Sequence, residues 1–202
     1  MKNTENAKRD GIKKNGKRLG TNGKHSFVNG RMGDMVTGEK GQGFINPTRG
    51  AVTIAGMIGE IASFIDEDPS SFYSLIIGTD SQAKNSNGHS EIDYVSAIIV
   101  YRKGKGARYF WRKEKHFQRP ILRDKIYTET LMSLDIAQKI VPDVRKHISP
   151  SKYDLEIHID VGPLGPTREM IREVVGMVNG NGFVAKTKPY SWGASSVADK
   201  HT

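Results

Sequence analysis

Three short hydrophobic runs joined only by polar or glycine turns, followed by alternating helical and strand patterns, leave this chain few ways to fold. Leu75-Ile76-Ile77-Gly78-Thr79 reads as a buried strand and Tyr94 to Tyr101 as a second, with the polar stretch Ala83 to Ser90 as the turn between them. Lys103-Gly104-Lys105-Gly106 then turns the chain into Ala107 to Arg112, a third strand of one antiparallel meander. The period becomes helical from about Ile121 to Val141, with Pro142 as a break or kink. Leu155, Ile157 and Ile159 alternate against Glu156, His158 and Asp160 in a fourth strand. Thr167 to Val178 reads as a helix, Phe183 to Lys188 as a fifth strand and Ala194 to Lys200 as a short closing helix. Upstream, Ile54, Met57, Ile58, Ile61 and Ile65 recur at helical spacing until Asp66-Glu67-Asp68-Pro69 stops the run. The expected fold is α/β: a mixed five-stranded sheet, three strands antiparallel and then two parallel through crossovers, flanked by helices.

Charge divides the chain. Residues 1–50 hold eleven Lys and Arg against four Asp and Glu, a net +7, together with ten of the 22 glycines, whereas residues 51–202 carry only +2. A stretch so poor in apolar residues does not bury enough surface to offset its ordering entropy. Residues 1–50 are therefore expected to be a disordered basic tail and 51–202 the folded domain. The tail, with Lys13, Lys14, Lys17 and Arg18, reads either as a solubilising extension or as a nucleic-acid-binding arm, with a transit peptide as the weaker third reading. The overall charge of +9 favours a polyanionic partner over a membrane surface. No apolar run approaches the roughly 20 residues that span a bilayer, and the N-terminus lacks a secretory hydrophobic centre, so a cytoplasmic protein is expected. The chain has no cysteine, which excludes disulfides and thiolate chemistry and leaves oxygen or imidazole to hold any metal.

Four acids fall where such a fold exposes chemistry. Asp80 follows the first strand, at the edge where open α/β sheets bind ligands, although an Asp-Ser pair also makes an ordinary turn. Glu129 shares a helix face with Leu122, Ile126, Ser133, Ile136 and Ile140, so a carboxylate lies in an apolar seam. Such a group needs a metal or a partner, and Lys125 one turn earlier is the ordinary partner. Asp160 closes its strand just before Val161-Gly162-Pro163. Asp199 stands on the closing helix near the chain's end, where small neighbours permit close packing. His158 reads as a structural histidine, and Tyr109 and Trp111 as core packing ahead of base stacking.

Gly78-Thr79-Asp80-Ser81-Gln82, Tyr127-Thr128-Glu129-Thr130, His158-Ile159-Asp160-Val161-Gly162 and Ala194 to Lys200 resemble a bacterial family described as ribonuclease-H-like, over roughly residues 52–202. The resemblance implies that Asp80, Glu129, Asp160 and Asp199 serve in that order as the catalytic acids and hold Mg²⁺ or Mn²⁺, with Asp80 bridging two ions. It also implies a metal-dependent nuclease acting on RNA, DNA or a hybrid, with Lys186, Lys188 and Lys200 holding phosphates. The sequence departs from the pattern at the mobile histidine that some such enzymes place before the last acid, a role His201 could take. The competing expectation is a non-catalytic nucleic-acid-binding protein of the same fold.

Overall fold

The computed structural model describes residues 43–86, 89–117 and 121–201. The basic residues Lys13, Lys14, Lys17 and Arg18 lie outside the described residues. Thr53 opens the first helix, α1 (Ile54–Asp66), by accepting the Gly56 backbone N–H on its Oγ1 at 3.1 Å, which satisfies one of the amides that a helix start leaves free. The helical period read from the sequence puts Met57, Ile58, Ile61, Phe64 and Ile65 on one buried stripe.

Strands β3 (Tyr73–Ser86), β4 (His89–Arg102) and β5 (Gly106–His116) form the antiparallel meander. Gly104 and Gly106, with φ of 74° and 105°, make the tight turn between β4 and β5, a conformation that side chains with a Cβ resist. Helix α2 (Leu122–His147) then crosses over to β6 (Tyr153–His158), parallel to β3, and α3 (Ile171–Gly180) crosses to β7 (Val184–Lys186), parallel to β6. Helix α4 (Gly193–His201) closes the fold. The sheet also has two strands the sequence reading did not foresee. β1 (Phe44–Asn46) and β2 (Gly50–Val52) make a small hairpin beside β5, so the full order is β2-β1-β5-β4-β3-β6-β7. The folded domain thus begins before residue 51: Phe44 is fully buried with Arg112 over its ring, and the Asn46 side chain accepts the Thr48 and Arg49 amides. Three-residue strands carry too little periodicity to stand out from a glycine-rich segment.

Two further differences have physical causes. The stretch 83–86, read as turn, continues β3, because each of its residues is paired with β4 across the hairpin. Helix α2 also continues past Pro142 without a break, and the Pro142 side chain is exposed, since the tertiary packing of Ile140, Val141 and Val144 on the core outweighs one lost backbone bond.

The sheet separates two unequal layers. Leu75, Ile77, Ile98, Val100 and Ile157 point towards α1, α2 and α3, and with those helices they form the main core. Each such side chain contributes roughly 1.5–3 kcal/mol on burial. On the opposite face Ile76, Val95, Ala97 and Ile99 pack with Val197 and Ala198 of α4, with Tyr101, Tyr109 and Trp111 at the margin. Packing there is close: a Cβ on Gly193 would stand 2.8 Å from Ile76 Cγ2, and one on Gly78 would stand 2.8 Å from Ala194 Cβ. No helix among the described residues is long and apolar enough to cross a membrane.

Candidate acidic site

The site arises from a mismatch of strand lengths. β6 ends at His158, paired with Gly78, while β3 runs on to Ser86. Asp80 is therefore inside β3, paired with Val95, and not at its end as the sequence suggested. What exposes it is the stop of the neighbouring strand. Beyond Gly78 the β6 side of β3 is a notch, and Asp160, two residues past β6, comes up beside it. Alternation places Asp80 on the α4 face with Val95, and Thr79 and Ser81 on the α2 face, so the notch is reached from both layers.

A cavity of about 320 Å³ fills this notch, lined by Asp80, Ser81, Lys125, Glu129, Asp160 and Lys188 among others. Glu129 is only 3% exposed, and its Oε1 accepts the Ser81 hydroxyl at 2.5 Å. Its other oxygen, Oε2, is buried without a hydrogen-bond partner. Beneath it, Ser133 donates to Thr79 Oγ1 at 3.1 Å, and Thr79 shares a 2.9 Å bond with Ser96, a buried polar ladder that fixes α2 against the strands. Asp80 Oδ1 accepts the Ser81 backbone N–H at 2.7 Å. Asp160 Oδ1 is 2.8 Å from Lys188 Nζ, and the Lys188 backbone N–H is tied to the Val161 carbonyl at 2.8 Å.

The electrostatics follow from this packing. Burial pushes Glu129 up to about 8, and the like charges of Asp80 and Asp160 push the same way, against the Ser81 hydroxyl that favours the ionised form. Burial also raises Asp80 above the ordinary carboxylate range, helped by Asp160 and Asp199, while the Ser81 amide and Lys125 oppose it. Lys188 is held above its usual value by its bond to Asp160.

The sequence-predicted residues divide into those the fold gathers and those it does not. Asp80, Glu129, Asp160 and Lys188 line one cavity. Asp199 is exposed and outside that lining, although its charge is felt at Asp80. Lys186 points to Glu156 at 3.7 Å, in a larger cavity of about 410 Å³ at the β6–β7 edge that contains none of the four acids. Lys200 sits over the Tyr109 ring at 5.6 Å. Lys125, the alternative partner considered for Glu129, donates its ammonium to the Ser81 carbonyl at 3.2 Å. His201 stacks on Trp111, with ring centroids 3.9 Å apart, and reaches the Tyr109 hydroxyl. His158 is structural as read: its Nδ1 accepts the Trp192 and Gly193 amides, so its Nε2–H donates to Glu156 at 3.1 Å, and burial lowers its pKa. Ser81 is the residue that sequence reasoning undervalued. The available signal was alternation, which puts it on the same strand face as Thr79, towards the helix that carries Glu129.

The donor set can be tested for a divalent cation. Carboxylate oxygens are the ligands that Mg²⁺ and Mn²⁺ prefer, and Glu129 Oε2 is a buried acceptor in want of a partner. Lys188 already places one positive charge on Asp160. Against this, no group of three or more His, Cys, Asp or Glu side chains among the described residues is arranged to hold a metal ion. The acids fit an ion in type and in burial, and would have to draw closer to share one.

Comparison with known proteins agrees with this architecture. Residues 56–202 match the family described as Ribonuclease H-like. The chain is also 33% identical over 172 residues to a protein of Bacillus subtilis (strain 168) named "Uncharacterized protein YkuK", a match covering 79% of this chain and 96% of that one. No solved structure matches it.

Proposed function

Since the chain belongs to the ribonuclease-H-like family, we propose that it is a divalent-metal-dependent nuclease hydrolysing phosphodiester bonds of nucleic acid, with its chemistry at the Asp80–Glu129–Asp160 notch. The observation that carries this reading is Glu129, a carboxyl sunk in the main core whose free oxygen shares a cavity with two other acids. Burying such a group unpaired is expensive, and a fold keeps it where a ligand compensates.

Asp80, Glu129 and Asp160 would hold Mg²⁺ or Mn²⁺ through carboxylate oxygens, with Asp199 as an outer member of the set. Bound divalent ions would supply an activated water and neutralise charge on the phosphate and the leaving oxygen. Ser81 orients Glu129 from one side. Lys125 fixes the Ser81 backbone from below. Lys188 pairs with Asp160 at the cavity and would hold a substrate phosphate there. With its pKa raised to about 8 by burial, Glu129 favours the protonated form at neutral pH. The basic residues of the N-terminal segment would add sequence-independent affinity for the backbone.

The second reading, a non-catalytic nucleic-acid-binding protein, is favoured by the exposed Asp199 and by the absence of a ready three-acid group among the described residues. One assay separates the two: purified protein with Mg²⁺ or Mn²⁺ on labelled RNA, DNA and hybrid, beside Asp80→Asn. Metal-dependent cleavage that the variant lacks supports the nuclease. Salt-sensitive binding without turnover supports the binding protein, and in that case removing residues 1–42 should flatten the salt dependence.

A further inference from the structure

The segment between β7 and α4 combines two features that rarely coincide. Its backbone is tightly tied down. The Ile159 amide donates to the Lys186 carbonyl at 2.9 Å and the Lys188 amide to the Val161 carbonyl at 2.8 Å. The Tyr190 and Ser191 amides both reach the Thr187 carbonyl, and the Trp192 amide reaches His158 Nδ1 at 3.2 Å. Gly162 lies under Lys188 so closely that a Cβ there would stand 3.1 Å from Lys188 Cβ. Yet this anchored loop gives its aromatic rings to solvent: Tyr190 is 73% exposed and Trp192 40% exposed. The Trp192 ring is braced edge-on by Tyr101 and His158, with centroids 5.4 and 5.8 Å away, which fixes its plane without covering it.

Lys186, Lys188, Tyr190 and Trp192 recur at every second residue, and Lys188 itself lines the acidic cavity. Exposed rings on an anchored backbone, preceded by the Lys188 ammonium at the cavity, match what unpaired bases and their phosphates require: flat π faces to stack on and positive charge beside them. A base inside a duplex offers no free face to such rings. Folded cores hide aromatic area, so a ring this exposed in so constrained a loop contributes little to packing.

We propose that the β7–α4 loop is a stacking platform for single-stranded nucleic acid, with Tyr190 and Trp192 stacking on bases and Lys188 guiding the backbone into the notch. The assignment deepens the nuclease reading and rests on it for the direction of the strand.

The test is binding read by fluorescence anisotropy in EDTA, so that no cleavage intervenes, using labelled 12-nucleotide RNA and DNA single strands and duplexes of the same sequence. Single strands should bind at least about tenfold more tightly than duplexes. Tyr190→Ala should weaken single-strand binding about 5- to 100-fold, the loss of one base stack, and Tyr190→Phe should restore it. Trp192→Ala also removes contacts to Tyr101 and His158, so Trp192 is followed instead by its own emission in a Trp111→Phe background, where single strands should quench it. Equal affinity for duplex and single strand, or Tyr190→Ala within twofold of the parent, overturns the platform. Because cleavage is not the readout, aromatic-dependent binding by a protein that never cuts would sink the nuclease reading alone. An active nuclease indifferent to Tyr190 would sink the platform alone.

Discussion

The two helices that bring acids to the site, α2 and α4, treat them in opposite ways. On the α2 face a 26-residue helix with ten buried positions drives Glu129 into the core, fixes one of its oxygens with Ser81 and lifts its pKa to about 8. On the α4 face a nine-residue helix rests on a thin seam, and Asp199 stays in water. Position and electrostatic perturbation therefore come together: a side chain is aimed and desolvated by the same packing. Asp199, on the thinly packed helix, contributes charge at a distance and little else.

The comparison can be broken most decisively by function. Glu129→Gln and Asp80→Asn should each reduce metal-dependent cleavage by more than the about 10- to 100-fold that loss of an outer-shell partner costs, whereas Asp199→Asn should stay within that range, as measured by initial rates on a labelled substrate. Equal losses at Glu129 and Asp199 would erase the distinction between the two helices.

Core variants give the next largest effect. Ile77→Ala, on the α2 face, should cost about 2–5 kcal/mol in urea unfolding, because the surrounding layer is too well supported to collapse into the space. Gly193→Ala, on the α4 face, should cost about 1–3 kcal/mol by pressing a methyl against Ile76 and Ile99.

Stability should also depend on pH through the buried acids. The folded pKa of Glu129 lies above its unfolded value, so the folded state binds the proton more tightly. The stabilisation is complete below the ordinary carboxylate pKa and is lost as pH rises through about 8. Asp80 shifts in the same direction. Thermal unfolding in EDTA should show stability declining from pH 5 to 9, by on the order of a few kcal/mol, and Glu129→Gln should flatten the decline. Mg²⁺ should offset it in the parent and not in the variant, since an ion that binds only the folded state stabilises it.

The smallest effect is expected on the far surface of α2. Lys139→Ala removes an exposed ion pair with Asp135 and should change stability by only about 0.3–0.5 kcal/mol. A larger loss there would mean that α2 owes its hold on Glu129 to its own surface more than to the core.

Much of this organisation was legible in advance. The five central strands, the four helices and the inward face of α2 follow from apolar spacing, which a helix or strand must obey to bury one side. Glu129 was legible for the same reason, being a charged letter in an apolar stripe. The β1–β2 hairpin was not, because three residues show no period. Nor was the position of Asp80, since the sequence read a strand end where the chain runs on into a long hairpin arm.

What the sequence determined by itself is which side chains share a face of each element, because periods of 2.0 and 3.6 residues are local properties of the backbone. What only the tertiary structure decided is which faces meet: that β6 stops beside Gly78 and opens a notch, that Ser81 finds Glu129 across 48 residues, and that Lys188 turns to Asp160 while Lys186 turns to Glu156. Those pairings depend on strand lengths, crossovers and the competition of neighbouring side chains for the same space, and none of these is written in the spacing of any one segment.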